Sequence, residues 1–165
     1  MHLIKVATPG PNGCPLLRPG SEGVAVSPGN EAAPTRKGRE MLERRIKAVA
    51  PPGTIIPKPR AQGDFRVKGD GIRRGQRARI YTIPNHKIPA KPHEKGIGFA
   101  ELEQAYAEFR QSGRLTTEWF KLHLSACYNE GSCNFTTVGG LFILLGEAEY
   151  ERPGVYWLKT KIGHG

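Results

Sequence analysis

Residues 133–158 read Cys133-Asn134-Phe135-Thr136-Thr137-Val138-Gly139-Gly140-Leu141-Phe142-Ile143-Leu144-Leu145-Gly146-Glu147-Ala148-Glu149-Tyr150-Glu151-Arg152-Pro153-Gly154-Val155-Tyr156-Trp157-Leu158. A helix that begins near Asn134 or Thr136 gathers Val138, Leu141, Phe142 and Leu145 on one face, the spacing of a buried helical stripe. Gly146 ends that helix, since glycine takes the left-handed conformation a helix stop needs. Glu147–Tyr150 and Val155–Leu158 are strand-like. Arg152-Pro153-Gly154 between them has type II turn chemistry, with proline and then glycine at the two central positions. Upstream, a helix over about 98–111 buries Leu102, Ala105, Tyr106 and Phe109 and stops at Gly113. A second helix starts at Thr116, whose hydroxyl can cap free N–H groups, with Glu118 favoured by the helix dipole. Leu115 and Phe120 are spaced as a hydrophobic staple. This helix buries Phe120, Leu124 and Cys127, and a loop over Asn129–Ser132 follows.

Three short helices followed by a two-stranded hairpin resemble the winged helix-turn-helix superfamily over about residues 97–160. The resemblance makes Thr136 to Gly146 the recognition helix and the Pro153-Gly154 hairpin the wing. The stretch Cys133 to Gly140 is also similar to an uncharacterised family of small bacterial proteins. A helix that reads base edges usually offers Arg, Lys, Asn or Gln. Residues 135–145 carry no charge, so only Asn134, Thr136 and Thr137 are suited to reach a base or phosphate. Gly139-Gly140 costs a helix about 1 kcal/mol per glycine relative to alanine. The pair therefore marks a close approach of another backbone, and this helix is expected to serve a structural or protein-contacting role ahead of groove reading.

Charge divides the chain. Its 165 residues carry 25 Lys and Arg against 15 Asp and Glu, a net +10. Seventeen of the basic residues and five acidic ones fall in residues 35–95, which carry +12, while residues 96–165 carry −2 and residues 1–34 are neutral. Within the basic segment, Leu42, Ile46 and Val49 mark a helix over 35–49 that Pro51-Pro52-Gly53 stops. Thr54-Ile55-Ile56, Phe65–Lys68 and Ala78–Ile83 are strand-like, with Gly69-Asp70-Gly71 a turn signal. Four arginines, Arg73, Arg74, Arg77 and Arg79, lie within seven residues. Arginine grips phosphate bidentately, and flanking rings such as Tyr81 can stack on bases.

The expected fold is α+β: a disordered Pro/Gly-rich arm over 1–34, a basic helix and small sheet over 35–95, and a winged helix over 96–165. The two ordered parts are expected to share a core, because about 60 residues of basic sheet are marginal alone. The expected function is non-enzymatic nucleic-acid binding, to double-stranded DNA ahead of RNA. Its site comprises Arg39, Arg44, Arg45, Lys47, Arg66, Lys68, Arg73, Arg74, Arg77, Arg79 and Tyr81, with Thr136 and Thr137 at the recognition-helix start. An adaptor for an acidic protein through the Gly139-Gly140 face is a second expectation. A nuclease using magnesium at Asp64 and Asp70 is a third, but it lacks a completing acidic or Lys partner. No catalytic residue, cofactor or metal is assigned. Gly69-Asp70-Gly71 lacks the third glycine of a nucleotide loop. Cys127 and Cys133 are too widely spaced to pair as zinc ligands with His86, His93 or His123. Three cysteines, Cys14 included, form no disulfide framework and fit the reducing cytoplasm. Residues 1–34 hold no signal-peptide core, and no apolar run is long enough to cross a membrane.

Overall fold

The structure, a computed structural model, describes residues 36–159. The arm expected over 1–34, with Cys14, His164 and the side chain of Arg39, lies outside the described residues.

Helix α1 spans Arg36–Val49 and buries Leu42 and Ile46. Val49 stays at the rim, and Ala50 takes the next buried place as the chain turns into Pro51. Three antiparallel strands follow, β1 (Arg66–Arg73), β2 (Gln76–Ile83) and β3 (His93–Gly98), in the order β1-β2-β3. The turn between β1 and β2 is Arg74-Gly75, with φ of 47° and 72°. Two positive φ values are the type I′ geometry that matches the twist of a hairpin. Gly69-Asp70-Gly71, expected as the turn, instead lies inside β1, opposite Ile80, Arg79 and Ala78. Its first glycine, at φ 148°, adjoins a bulge between Val67 and Gly69 that leaves Lys68 unpaired in the ladder. Thr54-Ile55-Ile56 forms no strand, but Ile56 N–H donates to Phe65 and Val67 N–H to Thr54, so it flanks β1.

Strand β3 was not anticipated, and it runs across the boundary expected at 95/96. Gly96 and Gly98 make it a poor strand by propensity. Packing leaves little room at either: a methyl on Gly96 would strike the Arg73 and Ile80 side chains, and one on Gly98 would have to push aside the end of the Gln76 side chain.

Beyond β3 come α2 (Phe99–Ser112), β4 (Arg114–Thr116), α3 (Thr117–His123), α4 (Ser125–Glu130), α5 (Cys133–Leu144), β5 (Ala148–Arg152) and β6 (Val155–Leu158). The last three strands form an antiparallel sheet in the order β4-β6-β5. Local chemistry sets the helix ends. Gly98 N–H donates to Glu101 Oε2 at 2.7 Å, Gly113 takes φ 75°, and Thr116 Oγ1 accepts from Trp119 N–H at 3.2 Å. The single helix expected after Thr116 breaks at Leu124 (φ −123°, ψ 43°) into α3 and α4. One core runs through both halves: Leu42 and Ile46 of α1, Val67 and Tyr81 of the first sheet, Leu102 and Phe109 of α2, and Val138, Leu141 and Phe142 of α5 belong to one buried cluster.

Candidate nucleic-acid interface

The arginines that dominate the sequence divide into two groups. Seven of the named side chains are used inside the molecule. Arg79 is 4% exposed; it donates to Asp70 Oδ1 at 2.5 Å and to the Ala50 carbonyl at the end of α1. Lys47 joins the same carboxylate at 2.7 Å and Glu43 at 2.6 Å. Burial works against ionisation of Asp70, but Lys47 and Arg79 outweigh it and hold its pKa below the ordinary value. Arg74, on the hairpin turn, donates through Nε to Glu101 Oε1 at 3.0 Å and through Nη2 to the Gly96 carbonyl at 3.1 Å, and pairs with Glu130. It therefore ties the first sheet to α2 and α4. Arg45 pairs with Glu147 and donates to the Tyr106 hydroxyl at 3.1 Å; that hydroxyl donates to Glu147 at 2.7 Å. Glu147 is also held below its ordinary pKa, its partial burial being outweighed by Arg45 and Tyr106.

Tyr81 is not a stacking ring. It is 1% exposed, and its hydroxyl donates to Asn134 Oδ1 at 2.6 Å, while Asn134 Nδ2 donates to the Cys127 carbonyl at 2.7 Å. Thr137 is likewise buried, donating to the Cys133 carbonyl at 3.0 Å. Thr136 Oγ1 accepts from Lys58 Nζ at 3.0 Å. The start of α5 is thus covered by the protein's own chain. The Gly139-Gly140 face is covered as well: a methyl on Gly139 would enter the Tyr156 ring, and one on Gly140 would meet the Pro57 carbonyl. The glycine pair does mark a close backbone approach, but an intramolecular one, so that face offers no partner surface.

The second group faces solvent. Arg66 and Lys68 pair with Asp64 and Glu94, all substantially exposed. Arg77 reaches Glu43 with 65% of its side chain exposed. Arg44 is exposed and makes no ion pair among the described residues. Arg73 is half-buried and donates to the Glu94 carbonyl at 3.0 Å. Three exposed cations outside the named set belong with this group: Arg60, in the loop before β1, and Lys87 and Lys91, in the loop before β3. They have no carboxylate partner among the described residues. Their isolation among prolines gave no local arginine density to single them out. The two loops meet where Gly63 packs on Pro84.

Asp64 and Asp70 are both engaged by cations, and among the described residues no group of three His, Cys, Asp or Glu is arranged to hold a metal. Cys127 and Cys133 are free thiols. Burial pushes the Cys127 thiol up to about 12. Among the described residues no helix is long and apolar enough to cross a membrane.

Beside the loop cations lies a feature the sequence did not single out. Lys58, between Pro57 and Pro59, enters the wall of a cavity of about 380 Å³ lined by Phe65, Ile83, Pro84, His86, Cys133 and Thr136 among others. Its Nζ donates to the Cys133 carbonyl at 2.8 Å and lies 3.7 Å from the Phe65 ring centroid. Burial lowers this amine to about 7. No family model, curated protein or solved structure matches the chain.

Proposed function

We propose that this protein binds nucleic acid without transforming it, gripping phosphates with Arg60, Arg66, Lys68, Lys87 and Lys91 around the first sheet and its adjoining loops. One observation carries the reading. After the internal pairing of Arg45, Lys47, Arg74 and Arg79, the exposed margin still holds three cations without a carboxylate among the described residues, and two more in exposed pairs. Exposed ion pairs contribute only about 0–1 kcal/mol, so Asp64 and Glu94 yield readily to a phosphate. Arg44 on α1 and Arg77 on β2 are further exposed cations.

Duplex DNA is the favoured polymer. Tyr81 is buried and cannot stack on the bases of a single strand, and backbone contacts to a duplex need only cations. We also read residues 99–158 as a winged-helix arrangement, in which helices precede a hairpin whose tip is Pro153-Gly154. In this reading α5 braces the basic sheet and does not enter a groove. Free thiols at Cys127 and Cys133 favour a reducing cytoplasmic location.

The test is fluorescence anisotropy of labelled duplex DNA, single-stranded DNA and RNA over a salt series. Five phosphate contacts predict a log–log salt slope of about −4 to −5 on duplex DNA. The combined change Arg60→Ala, Lys87→Ala and Lys91→Ala should flatten that slope by about 3. Arg74→Ala should leave it unchanged while lowering Tm. Absence of binding at low salt, or a triple variant indistinguishable from the parent, overturns the proposal.

A further inference from the structure

The cavity beside Lys58 presents a chemical problem of its own, independent of phosphate binding. Its walls are largely apolar: Pro59, Phe65, Ile83 and Pro84 surround it, with Gln62, His86, Cys133 and Thr136 as the neutral or titratable polar groups. The one cation in the wall is Lys58, and its partners are a carbonyl, a hydroxyl and two aromatic rings. Arg45, Arg74 and Arg79, by contrast, each have a carboxylate. A half-buried ammonium with no carboxylate beside it is costly, and the amine responds by losing affinity for its proton. An anion delivered into the cavity would supply the missing charge.

We propose that this cavity binds a small monocarboxylate with an aromatic or short aliphatic body, its carboxylate meeting the Lys58 ammonium. Charge count selects the headgroup. A phosphate needs several donors or cations for its oxygens, whereas the cavity supplies one amine and the Thr136 hydroxyl. Size selects the body: about 380 Å³ lies at the small end of the 300–1,000 Å³ typical of ligand pockets. The ring of Phe65, with Ile83 and the two prolines, suits a flat or apolar tail.

Binding on this scheme draws a proton onto Lys58. The groups facing the amine are the Cys133 thiol, the Tyr81 phenol and the Thr136 hydroxyl, with His86 across the cavity. His86→Gln removes the imidazole from the cavity wall, so it separates uptake at Lys58 from uptake at that ring.

The experiment is calorimetric titration of the whole protein at pH 8 with benzoate, hexanoate, benzamide and inorganic phosphate, in buffers of different ionisation enthalpy. Benzoate or hexanoate should bind with proton uptake, in the parent and in His86→Gln alike, and benzamide and phosphate should not bind. Lys58→Met keeps the apolar stem and removes a half-buried charge, so it should fold and bind the carboxylate about tenfold or more weakly. Ala61→Phe fills the cavity from its exposed rim without touching the amine, and should weaken binding as well. The proposal falls if no carboxylate binds at millimolar concentration, if benzamide or phosphate binds as well as benzoate, or if Lys58→Met retains the parent affinity.

Discussion

Asn134 shows how one side chain joins the two halves of the fold. Its carbonyl oxygen takes the Tyr81 hydroxyl of β2, and its amide nitrogen serves the Cys127 carbonyl of α4. All of this occurs at 0% exposure for Asn134. Asn134→Ala strands both partners without water, so unfolding in urea should show a loss of about 2–3 kcal/mol. An unchanged midpoint would show that water replaces the amide. The arginines teach the same lesson about charge. Residue type makes each a candidate phosphate ligand, but whether it is available depends on carboxylates far along the chain. Arg74 meets Glu101 across 27 residues, and Arg45 meets Glu147 across 102. Local density cannot disclose those pairings, so the sequence overstated Arg74 and Arg79 and passed over Arg60, Lys87 and Lys91.

Among the elements, α5 is the most constrained by its neighbours. Alanine is the better helix former by about 1 kcal/mol, yet Gly140→Ala should destabilise by about 1–3 kcal/mol, because the methyl must displace the Pro57 carbonyl. A thermal melt decides the sign: a higher Tm would mean that the 50–65 segment moves aside freely. The helices were legible because their signals are local. Thr116 caps α3, Gly113 closes α2 with φ 75°, and the stripe Val138, Leu141, Phe142 is buried as its spacing required. The strands were less so. Asp70 lies between two glycines and looks like a turn, but a bulge and a tertiary ion pair hold it inside β1. Strand β3 has glycine where strands usually have bulk, since the bulk comes from Arg73, Ile80 and Gln76 across the sheet.

For the whole molecule, four ionisations contribute to the response of stability to pH. Asp70 and Glu147 have folded pKa values below their ordinary 3.8 and 4.5. Their contribution is complete above those ordinary values and is lost as pH falls through the lowered ones, so Tm should drop below about pH 4. Lys58 works in the other direction. With its amine lowered from 10.5 to about 7, the unfolded chain binds a proton above pH 7 that the folded protein does not. Stability should therefore rise from about pH 7 towards 9, where Cys127, raised from 9.0 to about 12, begins to oppose it. Melting curves of Lys58→Met should lack that alkaline rise, and persistence of the rise would assign it elsewhere. The pairing of Arg45 with Glu147 has a further consequence, one of time. A ribosome makes the basic half first, and the carboxylates that engage Arg45 and Arg74 emerge later, the last of them 102 residues behind Arg45. Until then the nascent chain presents more cations than the mature protein does, and completion of folding is the event that withdraws them from any polyanion nearby.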